Sequence, residues 1–264
     1  MLIDTHTHLY STKFDQDREE VLERAKAAGV ELTLLPAVDS ESHTAMLELE
    51  AAHPEYCLAM IGLHPVSVKA NYEEELALVE SELKRRKWVA IGEIGMDLYW
   101  DKTFRAEQED AFLRQCRWAV EYDLPIAIHA RDSIDELLEL IRNFGDERLR
   151  GVFHCFTGTP EQATEAIRLG FYLGIGGVAT FKNGGLTPTL EKVDRSRIIL
   201  ETDAPYLAPA PKRGKRNETA YVKYVAGKVA EVWQCEIIEV GRITSTNARQ
   251  LFDLDRFMRE NSLA

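Results

Sequence analysis

The chain has 264 residues, of which 45% are hydrophobic and 29% charged, with a formal net charge of −12. This is the balance of a soluble globular protein near the size of one α/β barrel (roughly 250 residues), and no apolar run approaches the ~20 residues of a membrane span. So acidic a surface repels phosphate, which excludes nucleic-acid binding through overall charge and leaves only a local basic site.

The four cysteines, Cys57, Cys116, Cys155 and Cys235, are widely spaced with no CxxC pair. Reduced thiols in a cytoplasmic protein are therefore expected, not a disulfide framework, with Cys155 a small buried apolar residue. Met1-Leu2-Ile3-Asp4 runs straight into His6 and His8, an arrangement expected to leave no room for a removable leader.

Short apolar segments alternate with longer amphipathic ones, without linker, repeat or low-complexity tract, so one domain over 1–264 is expected. Strands are predicted at Leu2–Thr5, Leu32–Pro36, Cys57–Gly62, Val89–Glu93, Ile126–His129, Val152–His154, Tyr172–Gly176 and Ile198–Glu201. Between them, helical spacing links Val21, Leu22 and Ala25, then Leu76, Val79 and Leu83. It recurs at Phe112, Leu113, Cys116, Ala119 and Val120, and at Leu137, Leu138 and Ile141. Asp132-Ser133 and Thr159-Pro160 have the form of helix N-caps, and Gly29, Gly145 and Gly170 that of helix stops. Eight βα units in series need right-handed crossovers and a parallel sheet buried on both faces. Eight such strands close into a single (β/α)8 TIM barrel; an open doubly wound sheet would give no reason for the placement that follows.

In such barrels the active site lies at the C-terminal ends of the strands. The predicted strand ends carry Asp4-Thr5-His6-Thr7-His8, then His64, Glu93, His129, His154, and Glu201-Thr202-Asp203. Five of the seven histidines therefore fall on one rim, while His43 and His53 belong to a helical region as solvated side chains. Residues i and i+2 of a strand face the same way, so His6 and His8 both enter the mouth. Asp4 would follow them inward, as an orienting partner for an imidazole or as core filler. Four histidines with Glu93 and Asp203 exceed the needs of one four-coordinate ion. Two ions sharing a carboxylate use the set better, and the ligands suit Mg, Mn or Zn.

The motifs DTHTH, GLHP, GEIGMD, PIAIHAR, FHCFTG, GVATFKN, ETDAPYL and KRGKRNETAYV, in this order, resemble the TatD family of metal-dependent deoxyribonucleases, from Asp4 to about Phe252. The resemblance implies that His6, His8, Glu93 and Asp203 hold one ion, with Glu93 bridging to a second on His129 and His154. It implies that His64 touches the substrate phosphate or leaving group, and that Asp203 orients or deprotonates the attacking water. The bridging lysine of broader amidohydrolases is absent here. The implied activity is hydrolysis of DNA or RNA ends, as a 3'-end exonuclease on single strands, by a water that two metals activate.

Lys212-Arg213-Gly214-Lys215-Arg216 supplies four cations in five residues. On its own this is a solvated loop; on the catalytic rim, Arg213, Lys215 and Arg216 with Arg131 and Lys182 make a phosphate clamp. Tyr99 and Trp100, beside Phe104, either pack against the barrel or stack on unpaired bases. Two rival readings stand. One is a carbonyl-directed metal hydrolase such as a D-aminoacyl-tRNA deacylase; the other is a non-catalytic metal- or nucleic-acid-binding barrel. No obligatory protein partner and no membrane is expected.

Overall fold

A computed structural model describes residues 1–261, so the last three positions of the expected domain lie outside the described residues. The strands are β1 (Leu2–Asp4), β2 (Val30–Leu35), β3 (Cys57–Ala59), β4 (Ile91–Asp97), β5 (Ile126–Arg131), β6 (Gly151–Phe153), β7 (Tyr172–Ile175) and β8 (Ile198–Leu200). They alternate with α1 (Arg18–Ala27), α2 (Ser40–Ala52), α3 (Tyr72–Arg85), α4 (Arg105–Glu121), α5 (Ile134–Phe144), α6 (Pro160–Arg168), α7 (Thr187–Lys192) and α8 (Val222–Trp233). Two further helices, α9 (Ile237–Phe252) and α10 (Leu254–Asn261), follow. No helix among the described residues is long and apolar enough to cross a membrane.

The parallel strands form two arcs, β1 to β3 and β4 to β8. Single bridges join the arcs, Ile61 to Ile91 on one side and Thr7 to Ala204 on the other. The ring is thus the expected (β/α)8 barrel. At the seam between β8 and β1, Thr5 N donates to Leu200 O (3.1 Å), Asp203 N to His6 O (2.9 Å) and His8 N to Ala204 O (2.7 Å). Asp4 fastens the same seam, accepting from Thr202 N (2.9 Å) and Thr202 Oγ1 (2.6 Å). Asp4 is therefore neither filler nor the partner of an imidazole: it ties the first strand to the last. Its burial raises its carboxyl pKa to about 7.

Alternation along the strands sorts the core into two layers. Ile3, Leu34, Leu58, Met60, Ala127, Val152, Tyr172 and Ile199 fill the barrel, and Leu254 and Phe257 of α10 join them. Helix α10, which lies beyond the eight predicted βα units, therefore plugs the N-terminal mouth. The other parity, with Ile91, Ile126, Ile128, Phe153, Leu173 and Leu200, packs against the helices through residues such as Leu22, Phe112 and Leu138. Two residues further along the inward parity, Ala127 gives way to His129, Val152 to His154 and Ile199 to Glu201. One alternation thus builds both the core and the site.

Local chemistry explains where observed and predicted boundaries part. β4 does not stop at Glu93 but continues to Asp97, because Gly95 (φ +136°) lets it pair with β5 where a Cβ would come 2.1 Å from His129 O. Thr159 caps α6 as expected, with Pro160 in the first turn. Ser133 does not cap α5; its hydroxyl donates to Met96 O of β4 (2.8 Å). Gly145 (φ +70°) ends α5 in the left-handed conformation the stop requires.

Candidate metal centre and its rim

Glu93 sits at the middle of the C-terminal mouth, buried, with its two oxygens facing different histidines. Oε2 lies 3.0 Å from His6 Nε2 and 3.7 Å from His8 Nε2. Oε1 lies 2.8 Å from His129 Nδ1, 3.3 Å from His64 Nε2 and 3.8 Å from His154 Nε2. Asp203 stands opposite, its Oδ1 3.4 Å from His8 Nε2 and 3.8 Å from His154 Nε2. The structure thus brings together all six candidate ligands and His64. The ring of His154 stacks on that of His6 with centroids 3.4 Å apart, so it lies between the two groups and not wholly with His129. Asp203 has φ +57°, a left-handed conformation uncommon outside glycine and typical of functional sites.

The outer nitrogens of these rings separate two kinds of histidine. His8 Nδ1 donates to Tyr10 Oη (2.8 Å), whose hydroxyl donates onward to Pro36 O (2.6 Å), leaving Nε2 free to face the centre. His129 Nε2 meets Asp97 Oδ2 at 3.0 Å, leaving Nδ1 inward. His154 Nδ1 lies 2.8 Å from Glu201 Oε1, leaving Nε2 inward. The first two are the hydrogen-bonded imidazole–orienter pairs that metal ligands use, whereas Glu201 stands beside His154 as an ion-pair partner. His64 is the reverse: its Nδ1 accepts from Val66 N (3.0 Å), so neutral His64 presents an N–H to the centre instead of a lone pair.

Charge in the site is coupled. Burial works against ionisation of Glu93, yet His64, His6 and His154 outweigh it and hold its carboxyl well below the usual range. Burial likewise opposes protonation of His129, but Asp97 and Glu93 raise it to about 9; for His154, Glu201 and Glu93 raise it to about 10. Burial lowers His6 and His64. The carboxylates thus gather positive charge into the mouth. The donor chemistry fits divalent cations: ligand atoms of His6, His8 and Asp203, of His6, Glu93 and His154, and of His64, Glu93 and His129 each fall within 4.8 Å of one another.

Sequence reasoning missed four supporting residues. Asp97 and Glu201 belong to quoted motifs and lie on inward parity, four residues after Glu93 and two before Asp203, which was the available signal. Gly174 makes room for Glu201, since a Cβ there would come 2.3 Å from Glu201 Oε2. Tyr10 lies outside the quoted motifs, and Asn217 lies within KRGKRNETAYV but on no strand, so parity does not mark it. Asn217 is buried and donates through Nδ2 to Thr202 O (2.8 Å) and Tyr206 O (2.6 Å). Cys155 is only part-buried and borders the cavity. His43 is half-buried, and His53 pairs with Glu19 at 3.2 Å, so neither is freely solvated.

The cavity above Glu93 measures about 720 Å³, within the usual range of ligand sites. Arg131 lies on its wall, with its guanidinium 4.0 Å from the Tyr99 ring centroid and 5.1 Å from that of Trp100. Both aromatics are exposed, so they do not serve as barrel packing. Lys182, Arg213 and Lys215 are exposed and outside the cavity wall. Arg213 lies 4.3 Å from the Phe181 ring, which sets the basic loop beside the Lys182 turn. Arg216 is committed elsewhere: its guanidinium donates to Asp17 (2.8 and 2.7 Å) and to Lys13 O (2.7 Å), so it secures the loop and is not a free member of a clamp.

Residues 3–253 match the family described as TatD related DNase. The chain is 41% identical over 256 residues to the metal-dependent hydrolase YabD of Bacillus subtilis, covering 97% of this chain and all of that protein. It is 35% identical over 261 residues to the 3'-5' ssDNA/RNA exonuclease TatD of Pectobacterium parmentieri, covering 96% of this chain and all of the relative. The crystal structure of YJJV, a TatD homologue from Escherichia coli, superposes with a TM-score of 0.90 at 30% identity, covering 96% of this chain and 98% of that one. These relatives do not favour a carbonyl-directed hydrolase or a non-catalytic barrel. The chain belongs to the TatD family and is a metal-dependent hydrolase of that family.

Proposed function

We propose that the chain, acting as one domain, hydrolyses phosphodiester bonds at the ends of single-stranded DNA or RNA, as a 3'-end exonuclease using two divalent ions. The observation that carries this reading is Glu93, whose two oxygens address separate histidine sets, as a carboxylate shared by two ions must. In the reading His6, His8 and Asp203 serve one ion, and His129 the other with His154 beside it. Mg, Mn and Zn all suit the donors. Such a pair supplies an activated water and neutralises charge on the phosphoryl oxygens.

The protein's own groups do the rest. Ionised Asp203 accepts a proton from the attacking water, and the His64 N–H donates to the phosphate or the leaving oxygen, held in that tautomer by Val66 N. Arg131 meets the strand phosphate, and Arg213, Lys215 and Lys182 extend the positive path; Tyr99 and Trp100 offer faces to unpaired bases. The four free thiols suit a cytoplasmic protein. The reading is supported by the relative named as an exonuclease. Its test is digestion of end-labelled single- and double-stranded oligonucleotides with each metal, with Glu93→Ala as control. Release of terminal nucleotides from single strands is expected; no release with any metal removes the reading.

A further inference from the structure

Around the catalytic mouth, large apolar side chains stand in water. Val66 (40% exposed), Trp100 (70%), Tyr206 (48%) and Leu207 (41%) all border the cavity above Glu93. Their grouping round one pit marks a binding surface, not the ordinary scatter of single exposed residues. They fall on two banks, each attached to a candidate metal ligand. On the first, Asp97 Oδ1 accepts from Tyr99 N (3.0 Å) and Trp100 N (3.3 Å) while its other oxygen holds His129. On the second, Tyr206 N donates to Asp203 O (2.8 Å), and the Tyr206 ring centroid lies 6.0 Å from that of His8. Each bank also pairs its aromatic with a cation. Arg131 accompanies Tyr99 and Trp100, and Lys13 Nζ lies 4.4 Å from the Tyr206 centroid.

The second bank has an over-determined backbone beneath its exposed side chains. Asn217 holds Thr202 O and Tyr206 O. Leu207 has φ +51°, a costly conformation for leucine, and a Cβ on Gly177 would come 2.0 Å from Leu207 O. A fixed main chain that presents two solvent-facing apolar side chains at the edge of a reactive site is built for contact with a ligand.

We propose that Tyr206 and Leu207 form a second base-stacking platform, opposite Trp100, so that the nucleosides on the two sides of the scissile phosphate are splayed onto separate banks. The inference rests on the nucleic-acid reading above. Consecutive bases held on opposite banks cannot remain stacked in a duplex, so a paired end must fray before it enters. Preference for single strands then needs no base-edge contact, because every base has a face to stack.

The test uses metal-loaded protein and a short single strand with a hydrolysis-resistant phosphorothioate at the terminal linkage. 2-Aminopurine, whose emission is quenched by stacking on an aromatic ring, is placed at either the terminal or the penultimate position. Wild-type protein is expected to quench both. Tyr206→Ala is expected to release the quench at one position and Trp100→Ala at the other, with Tyr206→Phe behaving as wild type. In kinetics on a cleavable strand, Tyr206→Ala should lose about tenfold, on KM rather than kcat, and more than it loses on the same strand with abasic sites at its last two positions, which offer no ring to stack. Release at the same position by both variants, or equal losses on the intact and abasic strands, overturns the platform alone. Wild-type protein that hydrolyses methyl p-nitrophenyl phosphate but binds no strand overturns the nucleic-acid reading, and the platform with it.

Discussion

The two mouths of the barrel are made by the same eight strands and the same alternation, yet they do opposite work. At the N-terminal mouth the inward positions are Ile3, Leu34, Leu58, Val152 and Ile199, closed over by Leu254 and Phe257 of α10. At the C-terminal mouth the inward positions are Glu93, His129, His154, Glu201 and Asp203, with His6, His8 and His64 beside them. Apolar burial stabilises the first end. The second end crowds desolvated carboxylates and imidazoles together, where burial opposes each charge and the opposite charges offset it. Stability and chemistry are thus segregated along the barrel axis and can be altered separately.

The largest expected break in this comparison is Glu93→Ala, which should lower kcat by roughly 10³-fold or more while leaving circular dichroism unchanged. Near-normal turnover in a folded, metal-loaded variant would remove the shared-carboxylate role. Leu254→Ala should do the reverse. It is expected to cost about 2–5 kcal/mol in urea unfolding with kcat kept, and a comparable fall in kcat would show that the two mouths are not independent. Asp97→Asn and Glu201→Gln sharpen the upper mouth by disturbing the partners of His129 and His154, along with the backbone amides of Tyr99, Trp100 and Cys155 that the same carboxylates hold. Each should weaken ion affinity about 10–100-fold, read by competition with a fluorescent chelator, without abolishing activity at saturating metal.

The smallest effect concerns pH. His129 and His154 are raised above their unfolded value, to about 9 and about 10. Their contribution to the stability of the stripped protein is therefore fully present below pH 6.5 and is lost as pH rises through 9 to 10. With chelator, Tm should fall across that window, and a saturating ion should flatten the fall. A chelated protein whose Tm rises over the same range would contradict the coupling.

The barrel and its ring of candidate ligands were legible because both follow from period-two alternation: the histidines and acids stand where strands end. Asp97 and Glu201 were harder, because each orients a histidine on another strand and so has no fixed sequence spacing to it, and Tyr10, two residues after His8, lies outside the quoted motifs. Arg216 misled for the same reason. Four cations in a row look like one clamp, yet Asp17, distant in sequence, engages one of them. Asp4 misled by parity, since Thr202 on the last strand decides where its carboxylate goes. Helix α10 carries its stripe at Leu254, Phe257 and Met258, but it follows the eighth βα unit, where the barrel pattern gives a helix no place.

The seam between β8 and β1 has a consequence for how the molecule is made. His6 and His8 leave the ribosome long before Asp203, and the bond that brings the last strand to them, Thr5 to Leu200, spans 195 residues. At roughly 5–20 residues per second, the nascent chain carries two exposed histidines for many seconds before Asp203 can join them. Ion capture between these three residues must therefore be among the last events of maturation, coinciding with closure of the ring. An ion held there would act as a clasp on one of the long loops of the fold, where loop-closure entropy is large.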